Sequence, residues 1–302
     1  MNRIFLITIF ILFLQSTSYS QTRDQILKYG IEKVVITRKS KIDIQTTTLF
    51  FDKKGNKISE HYLNASNKGY EPENGSATYN EFTSYYYDDT LCTKAIFKAD
   101  NPELPGTFII DTTLIQRKFN SNGQLYLEIH TSSAISDHQW FTYYNKNGLK
   151  DTFRVFTNVE YKGDRSKKRI AFDDFYIREE SIYTYDSLKR LKTEYVYILA
   201  DWFREPITHK YSYHNDTVSS KEYTLKNNVL IPNGSYKKSY ATRNYRYQET
   251  VSDITEVDIT NNTLGLPVKE KEKHRTEFSE TTYVETTYKY YFRKPKKNDK
   301  QW

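Results

Sequence analysis

The chain has 302 residues, a formal net charge of +7, and 28 Tyr and 17 Phe against one Met. Its mean hydropathy is −0.79. Aromatics at 16% exclude a disordered chain, ten Gly and seven Pro exclude a collagen-like one, and the single Cys, Cys92, excludes an internal disulfide.

Residues 1–20 read as a secretory signal peptide. Arg3 supplies a positive start, Ile4 to Leu14 an apolar run, and Ser18-Tyr19-Ser20 the small residues before a cut at Gln21. The run is too short for a spanning helix, which needs about 20 residues. Cleavage leaves no transmembrane helix, and the loss of Arg3 with no acid takes the charge from +7 to +6. The mature chain, 21–302, reads as one exported domain, in the periplasm, on the outer surface or outside the cell.

Residues 23–29 predict one short helical turn broken at Gly30. Strand-type alternation follows, first in Lys33–Thr37, then in Thr46–Phe51 and Lys57–Tyr62. Between the last two lies a pattern that returns along the chain. Asp52 precedes Gly55 and Glu60, Asn120 precedes Gly123 and Glu128, and Asn262 precedes Gly265 and Glu270. Asp186 precedes Glu194 with Lys189 at the Gly position, while Asn145 and Gly148 repeat the turn without the Glu.

Turn chemistry explains the pattern. Asp or Asn accepts backbone N–H bonds at the start of a type I turn, and Gly three residues on closes a hairpin in the left-handed conformation. Lys189 implies either a different turn or left-handed strain. A second, tighter turn is predicted at Asp88-Asp89 and at Asn215-Asp216. One further turn falls in each gap of the Glu-bearing series, near 88, 145 and 215, so the unit reads as about four strands. The Glu at the eighth position is expected on the solvent face, paired with Lys or Arg across its hairpin. A stacked row of ligand-binding carboxylates is the alternative.

The segments Phe50-Phe51-Asp52-Lys53-Lys54-Gly55 and Tyr183-Thr184-Tyr185-Asp186 resemble tyrosine–aspartate (YD, rearrangement-hotspot) repeats. The leader followed by Gln resembles those of exported Bacteroidota proteins. The resemblance implies a secreted or surface β-hairpin repeat, with carbohydrate binding in some members. The chain is too short for the toxin-enclosing shell of the large members. Asp89-Thr90, Asp111-Thr112, Asp186-Ser187 and Asp216-Thr217 resemble the O-glycan acceptor motif of such proteins, which implies modification at Thr90, Thr112, Ser187 or Thr217.

The expected fold is all-β: antiparallel hairpins in an elongated, twisted sheet, with a closed β-barrel as the alternative. Six His show no metal-type spacing, and no nucleophile elbow, phosphate loop or dinucleotide fingerprint is present. The adjacent acids Asp173-Asp174 and Glu179-Glu180 point to opposite faces on a strand, so neither is an acid–base dyad. No catalytic residue, metal or cofactor is expected. Cys92 reads as a small half-buried strand residue. Trp140, Tyr143 and Trp202 stand among polar residues and are the candidate contacts for a glycan or protein partner. The basic tail, 293–302, reads as a solvated terminus, and nucleic acid is not an expected partner. The function expected is a non-enzymatic binding or scaffold module. A carboxylate-dependent glycan hydrolase and an outer-membrane β-barrel are the alternatives, the last opposed by the lack of a continuous lipid-facing band.

Overall fold

The computed structural model describes residues 23–66, 78–89, 91–101, 104, 106–134, 138–157, 171–172, 175–198, 206–226, 229–276 and 280–293. The expected signal peptide, Thr90, Asp173-Asp174, Trp202 and the tail beyond Arg293 lie outside them.

The chain starts with helix α1, Arg23–Tyr29. Gly30, at φ 62°, ends it as expected. The strands β1 Ile31–Lys39, β2 Asp43–Phe51, β3 Lys57–Ser66, β4 Thr78–Asp88 and β5 Leu91–Asp100 follow. Next come β6 Phe108–Phe119, β7 Leu125–Ser132, β8 His138–Tyr144 and β9 Lys150–Thr157. The second half holds β10 Ala171–Phe172, β11 Phe175–Tyr185, β12 Leu191–Ile198, β13 Ile207–His214 and β14 Thr217–Lys226. It closes with β15 Val229–Ala241, β16 Tyr245–Thr250, β17 Asp253–Asn261, β18 Pro267–Thr276 and β19 Thr282–Phe292.

Each strand pairs antiparallel with the next, β9 pairs β11, and the two-residue β10 lies beside the start of β11. The last strand then returns to the first: β19 pairs β1 from Ile31↔Phe292 to Lys39↔Glu285. The sheet is thus a closed 18-strand barrel, the alternative expectation, and the open elongated sheet is corrected. Period-2 alternation specifies hairpins but not curvature. Closure depends on a pairing between strands at opposite ends of the chain, which no local pattern announces.

Five turns share one geometry. In each, the Asp or Asn side-chain oxygen accepts the N–H groups two and four residues on, as at Asp52 (2.8 and 2.9 Å) and Asp186 (2.9 and 2.9 Å). Gly55, Gly123, Gly148 and Gly265 take φ between 72° and 80°, and a bulge precedes each turn. Lys189 takes the same conformation at φ 61°, so the strain branch of the expectation holds. Lys189→Gly is expected to stabilise the chain by about 0.5–1 kcal/mol, the left-handed cost of about 1–2 kcal/mol less the freedom a Gly adds to the unfolded chain. Urea unfolding of the two forms checks this.

The tight turn at Asn215-Asp216 falls where expected, with Asn215 at φ 51°; the other begins one residue later than Asp88-Asp89, since Asp88 still pairs with Leu91 and Asp89 takes φ 52°. The four-strand unit holds twice. Between 186 and 262 the structure inserts an extra hairpin, turned at Thr242–Asn244, where Thr242 Oγ1 accepts the Tyr245 N–H at 3.1 Å. That turn has no Gly, so no punctuation marked it. The five Asx turns, the two tight turns and the Thr242 turn lie at one rim; a second turn capped by Thr, where Thr250 Oγ1 accepts the Asp253 N–H at 3.1 Å, lies at the other. Every connection of more than five residues, 67–77 and 199–206 among them, joins strand ends at the other rim, which also has short turns at 40–42 and 251–252.

Four tyrosines serve the turn rim in one way. Tyr87, Tyr185, Tyr213 and Tyr290 each lie within the last three residues of a strand and donate their hydroxyl to the first carbonyl of a neighbouring strand. The acceptors are Lys57, Lys150, Leu191 and Pro267, at 2.8, 2.6, 2.8 and 2.7 Å.

Two apolar cores hold the wall. One packs Ile26 of α1 with Ile31, Val34, Ile36, Leu266 and Tyr288, beside the β1–β19 seam. The other packs Leu127, Ile129, Phe141, Phe156 and Ile177 across β7, β8, β9 and β11.

Candidate binding wall

Closing the ring separates an inner from an outer face. Along β19, Val284, Thr286, Tyr288 and Tyr290 are occluded, and Tyr283, Glu285, Thr287 and Lys289 alternate with them as exposed positions. Following the register from Thr286 through Glu270, and likewise around the ring, puts Glu60, Glu128, Glu194 and Glu270 on one occluded face. This is the inner wall. Rings of this strand number leave a space too wide for side chains to fill.

The solvent-face position expected for these Glu is therefore corrected. Their pairing with basic groups is found in three of the four, each in a different way. Glu128 accepts from Arg117 across its hairpin at 2.6 Å and from His130 Nε2 at 2.7 Å. Glu60 accepts from Lys57 at 2.7 Å and from the Tyr85 hydroxyl at 3.2 Å. Glu270 reaches Arg246 at 2.5 Å, and Glu194 accepts the Tyr211 hydroxyl at 3.0 Å. The four lie on β3, β7, β12 and β18, with other strands between them. They are four separate clasps, not a stacked row of ligand carboxylates.

Burial disfavours the Glu128 carboxylate, but His130 and Arg117 outweigh it and hold the carboxyl below the usual range. Burial pushes the Glu81 carboxyl up; the Tyr79 hydroxyl opposes this and nearby Glu60 adds to it. Burial likewise raises Glu179 against the pull of Arg178. The sign for Glu128 follows: a depressed native value stabilises the fold above the unfolded pKa of about 4.3, and the stability is lost as pH falls through the native value. Glu128→Gln is expected to lower the melting temperature at pH 7 and to flatten its fall between pH 5 and 3. Melting curves across that range check it.

The candidate contacts part company in this geometry. Trp140 pairs with His130 and Val155 and stands on the inner wall near His138, ring centroids 6.4 Å apart. Tyr143 points to the opposite face, stacked at 6.4 Å on buried Phe141. The two do not form one surface, and Trp202 is outside the described residues. Tyr143 flanks the second core. What sequence reasoning missed is the Tyr–Glu clasp: Tyr85 with Glu60 and Tyr211 with Glu194. The visible signal is a Tyr two positions before the last Tyr of a strand, as in Tyr85-x-Tyr87 and Tyr211-x-Tyr213.

Other positions fall as follows. Glu179 faces inward and Glu180 outward to Arg154, at 2.7 Å, so that pair is split as expected. Cys92 is half-buried, and burial pushes its thiol up. Ser187 is exposed at a turn tip; Thr112 and Thr217 are half-buried on strands. Among the described residues, no group of three or more His, Cys, Asp or Glu gathers to hold a metal. A rim groove of about 410 Å³ is lined by Arg243, Asn244 and Asn261 among others.

No protein-family model matches the chain, and no curated protein does. Among solved structures, a porin-like protein from Bacteroides uniformis superposes with TM-score 0.42 at 9% identity, covering 87% of this chain and 97% of that one. TcdB2-TccC3 without its hypervariable C-terminal region gives 0.38 at 12% identity, over 76% of this chain. The full TcdB2-TccC3 gives 0.37 at 12% identity, again over 76%. This chain spans 12–13% of those two.

Proposed function

We propose that the mature chain is an exported barrel that works in water on both faces, a non-enzymatic binding or scaffold module of the cell envelope. Its ligand surface is the inner wall of Tyr, Trp140 and clasped carboxylates, suited to a glycan or a polar peptide. The observation that carries this reading is the charge on the outer face of the second half. Lys210, Lys221, Asp258, Lys271, Arg275, Glu285 and Lys289 are all exposed there. Two acids on this face bind cations at 2.7 and 2.9 Å, in Lys269–Glu285 and Arg275–Glu256, but the pairs remain exposed. A Lys or Arg facing lipid at the bilayer midplane costs about 2–4 kcal/mol, so Lys210, Lys221 and Lys271, each central in its strand, would together cost about 6–12 kcal/mol, comparable with the 5–15 kcal/mol typical of a whole fold.

A second reading is a barrel spanning the outer membrane. It is favoured by closure, by the even strand number and by a rim of short turns only, with every connection of more than five residues at the other. Expression of residues 21–302 decides between them. The first reading expects a monodisperse chain in the supernatant after ultracentrifugation without detergent. Recovery only in detergent, or from the membrane fraction, overturns it. For the ligand, Trp140→Ala is expected to weaken binding on a glycan array at least tenfold; unchanged binding removes Trp140 from the surface.

A further inference from the structure

The outer face is not uniform. Across β4, β5 and β6 three cross-strand rows lie side by side: Phe82–Lys98–Ile110, Ser84–Ile96–Thr112 and Tyr86–Lys94–Leu114. Ile110 is 60% exposed, Phe108 49%, Tyr86 48%, Leu114 45% and Phe82 44%, far more than a folded chain needs to leave in water at one place. The rows hold two lysines and no acid. Lys98 Nζ lies 3.7 Å from the Phe108 ring centroid and Lys94 Nζ 5.4 Å from that of Tyr86. Asp100 at the border is already engaged, accepting from Asn80 N and Nδ2 at 2.9 and 3.0 Å.

We propose that this face docks the barrel on an anionic lipid surface. The proposal rests on the reading that the barrel does not span the membrane. The rings and aliphatic chains at the ends of the two lysine-bearing rows, with Ile96 at the centre of the row between them, would enter the headgroup layer. The lysine stems lie along them, and their ammonium groups extend to lipid phosphates. Charge placement favours this occupant. Three of the outer acids, Glu249, Glu256 and Asp258, lie on β16 and β17, roughly across the ring, so docking by β4–β6 turns them away from an anionic leaflet, and Glu180 and Glu285 lie on the flanks with Arg154 and Lys269 bound to them. A two-fold contact with a second copy would instead bring the same lysine-bearing rows together.

The test is co-sedimentation of detergent-free mature chain with phosphatidylglycerol/phosphatidylcholine vesicles and with phosphatidylcholine alone. Binding is expected only to the anionic vesicles and is expected to fall as salt rises. A lysine near an anionic leaflet contributes about fivefold, so Lys94→Ser with Lys98→Ser is expected to weaken binding about 25-fold. Ile110→Ser with Phe82→Ser is expected to weaken it at least tenfold, and Lys271→Ser on the far sector to change it less than twofold. Should the apolar pair fail to fold, the lysine pair still decides.

Absence of binding at low salt, or equal binding by the lysine variant, overturns the proposal. So does a wild-type dimer in light scattering that Ile110→Ser dissociates, which would mark the face as a contact between copies. A chain that needs detergent fails the preceding reading first, and is told apart by that need.

Discussion

Ile31→Asp opens the barrel at its seam. Ile31 is fully buried at the start of β1, opposite Phe292, and packs with Ile26, Val34, Ile36, Leu266 and Tyr288. Truncating a buried Ile costs about 2–5 kcal/mol, and an unpaired carboxylate in its place adds desolvation, so the expected loss is about 4 kcal/mol or more. The loss falls where the ring is joined. Around it, Arg293 N donates to Gly30 O at 2.9 Å, Arg23 Nε to Lys54 O at 2.9 Å and the Tyr29 hydroxyl to Leu264 O at 3.0 Å. The Arg293 guanidinium also reaches the Asp52 carbonyl. These bonds tie α1 and the end of β19 to the turns on either side, and none replaces the apolar contact. Hydrogen exchange is expected to show β1 and β19 losing protection while β7 to β9 keep theirs. Uniform loss would mean that closure and wall unfold as one unit and that the seam is not a separate weak point.

The same seam shows what the sequence could and could not disclose. Asx–Gly turns are local: Asp52 and Gly55 dictate their geometry from within five residues, and α1 ending at Gly30 is equally local. Even Lys189 was legible as either strain or a different turn. The ring is not local. Val34 meets Tyr290, and Ile36 meets Tyr288, only because the intervening strands curve by the right total amount. The inward aim of Glu60, Glu128, Glu194 and Glu270 is hidden for a related reason. Alternation says that a Glu and its neighbour face opposite ways, but only closure says which way is inside. The hairpin at Thr242–Asn244 escaped because Thr and Asn cap it without a Gly.

Phe141→Ala is expected to cost about 3–5 kcal/mol, and Trp140→Ala markedly less, although they are adjacent in sequence. Phe141 is 1% exposed and meets Phe156 edge-on, centroids 4.7 Å apart at 64°. Leu127, Ile129 and Ile177 complete its surroundings, on strands that pair in register through β8 and β9. Removing that ring leaves a cavity that rigid strands cannot close. Trp140 projects the other way, onto the half-buried inner wall between His130 and Val155. Its removal strips contact from a wall that water already reaches. Urea unfolding of both variants separates the roles: a large loss for Phe141 with retained glycan-array binding, and a small loss for Trp140 with weakened binding. Equal stability losses would make Trp140 a packing residue and would take the inner wall's one described tryptophan out of the proposed ligand surface.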